Sequence, residues 1–96
     1  MILHTLNASP SSPAFSDCLR VIAADDALLL MGDGVYAAIP ETAAWGALQE
    51  SGAAVYVLDT DASAAGVSDI DDSASRVDMA GFVELTERFV RQQAWY

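Results

Sequence analysis

Lysine is absent from the 96-residue sequence, and four arginines, Arg20, Arg76, Arg88 and Arg91, stand against fourteen acids. The formal charge of −10 repels phosphate backbones and anionic bilayers, which excludes direct nucleic-acid or membrane binding as an expectation and disfavours a polyphosphate ligand. Cysteine is scarce as well. Cys18, the only one, cannot close an intramolecular disulfide, so a reducing, cytoplasmic compartment is expected. No apolar run approaches the ~20 residues that span a bilayer. No basic stretch leading into an apolar core and a small-residue cleavage site reads as a secretory leader. Apolar residues, by contrast, make up 53 % of the chain, enough for a packed core in one domain over residues 1–96.

The placement of those apolar residues sets the order of elements. ILHTL (2–6) is a short apolar stretch that reads as a buried first strand, and NASPSSP (7–13) is a loop with two prolines. Phe15, Leu19 and Ile22 then fall at helical spacing, with Ser11 or Ser12 available as a cap ahead of Pro13. DALLLM (26–31) is an unbroken apolar run between turn formers, the pattern of a strand covered on both faces, as in parallel sheets. A short helical turn, VYAAI, is cut at Pro40, and Glu41 to Ser51 reads as a helix stopped by Gly52. AAVYVLD (53–59) is a third strand and TDASAAG (60–66) a short capped helix. The acidic stretch 68–76 is a surface loop leading to a fourth strand at Val77 and Asp78. A last helix runs from about Ala80 to Gln92, with Phe82, Leu85, Phe89 and Val90 on one side, before the aromatic tail Ala94, Trp95 and Tyr96. Strands alternating with helices predict a single small α/β domain, a short parallel sheet with helices on both faces.

LLLMGDGVYAA (28–38) runs from strand to glycine turn to helix start, the build of many phosphate-binding loops. Its residues point elsewhere. Ala37 stands where a dinucleotide loop carries its third glycine, a substitution that some loops allow, and a Walker-type loop requires the lysine that this chain lacks. Asp33 would set a carboxylate against the anion. A tight strand-to-helix connection explains the glycines better, and no cofactor is expected.

Cys18 lies at the edge of the first helix's apolar stripe, where partial exposure is expected. Asp17 disfavours a thiolate there and Arg20 favours one, so the structural reading stands ahead of the reactive one. His4 sits in an apolar strand without a second histidine to share a metal, and is expected to hydrogen-bond a neighbouring element at the sheet end. Asp69, Asp71 and Asp72 alternate like the opening of a calcium loop, but its glycine and distal glutamate are not in place, so a solvated acidic loop and no metal are expected. No Ser-His-Asp or Cys-His arrangement is legible. The tail stands apart. Phe89, Trp95 and Tyr96 at an end that would otherwise fray imply docking onto the domain or a partner, and with Tyr36, Trp45 and Tyr56 they favour an oligomer.

Three segments, ILHTLNASP, LLLMGDGVYAA and VDMAGFVELTERFVRQQAW, together resemble the DsrH/TusB family of small sulfur-relay subunits, in order and spacing over nearly the whole chain. The resemblance implies the DsrE-like fold and an α2β2γ2 heterohexamer with two paralogous subunits, one TusC/DsrF-like and one TusD/DsrE-like. In the TusBCD version such a complex passes sulfur as a cysteine persulfide between sulfur carrier proteins, and the sulfur ends as the 2-thio group of the wobble uridine of certain tRNAs. In the DsrEFH version it serves the oxidation of stored sulfur. The main persulfide cysteine of these complexes belongs to the DsrE/TusD-like subunit, so the resemblance implies an organising, non-catalytic role here. Cys18 matches the position where DsrH-type members carry a cysteine and some TusB-type members an apolar residue, which makes it the one candidate persulfide carrier. Gly32, Asp33, Gly34, Trp95 and Tyr96 are the interface candidates.

Overall fold

Five strands, all parallel, form the centre of a computed structural model that describes residues 1–96. Along the chain these are β1 (Leu3–Leu6), α1 (Pro13–Val21), β2 (Ala27–Leu30), a 3-10 helix (Gly32–Ala38), α2 (Ala43–Ser51), β3 (Ala54–Leu58), α3 (Asp59–Ala64), β4 (Ser75–Val77), α4 (Met79–Arg88) and β5 (Gln92–Trp95). The sheet order is β4-β3-β2-β1-β5. The chain therefore walks from β1 to β4 in one direction and returns by α4 to place β5 on the far side of β1, with Leu3 opposite Gln92 and Leu6 opposite Trp95.

Local chemistry starts and stops the helices. Ser12 caps α1, its hydroxyl accepting from the Phe15 N–H at 3.4 Å, and Pro13 opens the first turn, where a missing N–H costs nothing. Thr42 caps α2 in the same way through Trp45, and Gly52 closes that helix. Asp78 caps α4 through the Gly81 N–H at 2.8 Å.

Right-handed crossovers put helices on both faces of the sheet. Alternate residues of a strand point to opposite faces, and the two sets enter separate cores. Leu28, Leu30, Val55, Val57 and Leu6 pack under α1, the 3-10 helix, α2 and α3 in a cluster of 17 buried residues. Leu3, Ala27, Leu29 and Leu58 meet only Leu85 of α4 in a cluster of five. Trp45, in the larger core, carries a buried indole N–H without a partner, an omission that costs roughly 1–3 kcal/mol.

The structure corrects the sequence reading in several places. The glycines of the turn belong to the 3-10 helix, which begins at Gly32, before the VYAAI segment assigned to it. No side chain caps the amino end of α3, the fourth strand is Ser75–Val77, and Asp78 serves α4 instead. The largest correction is at the end. The last helix stops at Arg88 and not at Gln92, Val90 is exposed and not on an inward face, and Gln92–Trp95 form a fifth strand. Glu, Arg and Gln are good helix formers, so nothing local marks the break. Pairing with β1 outweighs that propensity.

Candidate functional site

The carboxyl ends of parallel strands are where open α/β sheets bind ligands, and the glycine turn lies there, after β2. Gly32 has φ +51°, and a Cβ on it would stand 1.8 Å from the Asn7 side-chain oxygen. A Cβ on Gly34 would stand 2.3 Å from the Leu6 carbonyl oxygen. Both glycines are thus required by the close approach of the turn to the loop after β1. The Gly32 N–H, the donor a phosphate would need, is already given to Asp61 of α3 at 2.8 Å. Gly32, Asp33, Tyr36 and Asp61, with Ala64 and Ala65, line a shallow depression of about 330 Å³. Two carboxylates in so small a hollow set a potential hostile to anions. The turn fastens three elements to each other and is not built as a phosphate cradle.

A second polar cluster lies inside the larger core. His4 of β1 is fully buried. Its Nδ1 accepts from the Trp95 indole at 3.1 Å, and the two rings stack at 25° with centroids 6.2 Å apart. An indole N–H can only donate, so the histidine proton resides on Nε2, which donates to Asp26 Oδ2 at 2.9 Å. Asp26, just before β2, also accepts from the Ile2 N–H at 2.9 Å and the Ala23 N–H at 3.0 Å. Burial pushes the Asp26 carboxyl up, but the hydrogen bonds from His4, Ala23 and Ile2 outweigh it and hold the group below the usual carboxylate range. A chain of side chains thus ties the start of β2 to β1 and β1 to β5.

Cys18 of α1 packs in this core. It is 1 % exposed, where the helical wheel placed it at a partly exposed edge. Burial, and then the negative charge of Asp26, push its thiol up to about 11. The ionised form that makes a thiol nucleophilic is therefore suppressed.

The predicted site residues do not converge. Gly32, Asp33 and Gly34 stand at the carboxyl end of β2 and Cys18 inside the core, while Trp95 docks on its own domain and leaves Tyr96 86 % exposed. His4 does bond neighbouring elements, and the sequence offered no sign that Asp26 and Trp95 would be its partners, since neither spacing nor periodicity connects them. No group of three or more His, Cys, Asp or Glu side chains is placed to hold a metal ion. No helix is long and apolar enough to cross a membrane.

Comparison with known proteins bears on the family and on the fold. The family model described as "DsrH like protein" matches residues 8–92. "Protein TusB" of Salmonella dublin is 41 % identical over 95 residues, which cover 98 % of this chain and all of that protein. "Protein TusB" of Salmonella typhimurium matches to the same extent. The crystal structure of the ychN protein from E. coli superposes with a TM-score of 0.80 over 97 % of both chains at 18 % identity, a likeness of fold.

Proposed function

The chain belongs to the DsrH family, and from that membership we propose that it is a subunit of a TusBCD-like heterohexameric sulfurtransferase complex. In this reading the complex relays persulfide sulfur for 2-thiolation of the tRNA wobble uridine, and the chain organises it beside two paralogous subunits, one TusC-like and one TusD-like. The end-to-end likeness to proteins named TusB supports the relay. The observation that carries the organising role is the state of Cys18. A thiol sealed in the larger core, with its ionisation pushed to about 11, cannot meet a persulfide donor without opening that core. The same burial stands against the alternative, a DsrH-like subunit of a sulfur-oxidation complex with Cys18 as direct carrier. Nothing on the surface offers a second nucleophilic cysteine, so the reactive sulfur is assigned to a partner. Net charge −10 fits a subunit that leaves tRNA to others.

The test is complementation. Cells lacking the gene receive the wild-type chain or Cys18→Ala, the complex is co-purified on a tag, and 2-thiouridine is measured in bulk tRNA. Wild-type levels of assembly and thiolation in Cys18→Ala are expected. A well-assembled Cys18→Ala complex without thiolation would make Cys18 a carrier.

A further inference from the structure

Charge is divided unevenly along the chain. Residues 79–96, comprising α4, the turn after it and β5, hold two acids, Glu84 and Glu87, and two arginines, Arg88 and Arg91. The other twelve acids and two arginines account for the whole net charge of −10. This neutral segment also carries four of the seven large apolar side chains left exposed, Met79, Val83, Val90 and Tyr96, with Val90 99 % exposed. Exposed apolar side chains on a segment without net charge are the composition of a contact surface.

The arginines differ by region too. Arg20 pairs with Asp17 and Arg76 with Asp59, whereas Arg88 and Arg91 form no ion pair. The Arg88 guanidinium lies 5.9 Å from the centre of the Phe89 ring, and that ring packs against the smaller core, so the charge is held in place with its donors unused. β5 itself is an edge strand, paired with β1 on one side and with nothing on the other. Gln92, Gln93 and Ala94 give that open edge no lysine, no proline and no inward charge, the usual guards against pairing.

We propose that the α4–β5 face is where this chain meets another subunit of its complex, and that the partner's facing surface is apolar at its centre and acidic at its rim. The proposal rests on the multi-subunit reading above. The charge division selects the partner: a basic protein would be drawn to the rest of the molecule, where every excess acid lies, whereas an acidic one is repelled everywhere else. On this face it meets no net charge and two arginines ready to bind carboxylates.

The experiment measures binding of the tagged chain to the subunits that co-purify with it, at low and high salt. Val90→Glu is expected to weaken binding about tenfold or more, and because Val90 touches little of its own chain the fold is untouched. Arg88→Glu with Arg91→Glu is expected to weaken it comparably and to flatten the salt dependence. Val21→Glu, a change at a half-exposed valine on α1, is expected to leave binding at the wild-type level, and circular dichroism checks that each variant is folded. Wild-type affinity in both Val90→Glu and the arginine pair would overturn the proposal while leaving the complex itself standing. Sedimentation showing that the variants dissolve a homodimer of this chain, with subunit binding intact, would overturn the chosen partner. Failure of the wild-type chain to capture any subunit would remove the multi-subunit reading and the proposal with it.

Discussion

Leu29 and Leu30 are neighbours on β2 and both are fully buried, yet they belong to different cores. Leu30 points into the face sealed by α1, the 3-10 helix, α2 and α3, where polar groups are also enclosed: His4, Asp26 and the Trp95 indole. Leu29 points into the face that α4 covers alone, where Met31, Tyr56, Val77, Phe82 and Phe89 are only partly shielded. One sheet thus has a closed side and a thin side. The topology is the cause, since three successive crossovers lie on one face and a single return crossover on the other. The lesson is that burial of a residue does not tell how replaceable it is. The thickness of what lies above it does.

The widest predicted gap is between those two leucines. Leu30→Ala is expected to cost about 3–5 kcal/mol in urea unfolding, because helices on all sides hold the cavity open, and Leu29→Ala about 2–3 kcal/mol, because one helix can settle towards the sheet. Equal costs would break the comparison.

Asp26→Ala comes next, at roughly 3 kcal/mol, since it leaves the buried His4 Nε2 without an acceptor and takes the acceptor from the part-buried Ile2 and Ala23 amides as well. The same carboxyl sets an acid limit. Its proton affinity is lower folded than unfolded, so its contribution is complete above the unfolded carboxylate value of about 4 and is lost as pH falls through that value and then the lower folded one. Urea midpoints of the wild type should drop below pH 4, and those of Asp26→Asn should drop less.

Cys18→Ser, on the closed side, is expected to cost about 1–3 kcal/mol for an unpaired hydroxyl. The wild-type thiol should resist an aromatic disulfide reagent at pH 8 until urea is added. Its folded value is raised to about 11, so the stability it lends is whole below the unfolded thiol value and fades as pH climbs from about 9 towards 11. Rapid labelling of the folded chain at pH 8 would contradict the closed side.

Smallest of all is Val83→Ser on the outer side of α4, a residue 48 % exposed, expected to change the stability of the isolated chain by no more than about 0.5 kcal/mol. A large loss would show that the thin side is closed by something within the chain itself.

Much of this was legible in the residues. Ser11 or Ser12 and then Pro13 ahead of an apolar stripe mark the start of α1, the unbroken run that becomes Ala27–Leu30 has the pattern of a strand covered on both faces, and Gly52 stops α2. These signals are local: a cap, a period and a breaker act within a few residues, and so they survive in the sequence. The charge that disfavours a phosphate at the glycine turn is equally local, and Asp61 only completes it by taking the Gly32 amide.

What tertiary structure alone decided lies where a residue's partner is remote. Gln92–Trp95 has no strand signal and follows good helix formers, and it becomes β5 because β1 offers a ladder and His4 an acceptor for the Trp95 indole, 91 residues away in sequence. The complete burial of Cys18 follows from what packs over α1, which the helical wheel places at an edge but cannot cover. Which face of the sheet is thick and which thin was decided last, by the return of α4 across the strands, because the hand and number of crossovers belong to the whole chain and to no segment of it.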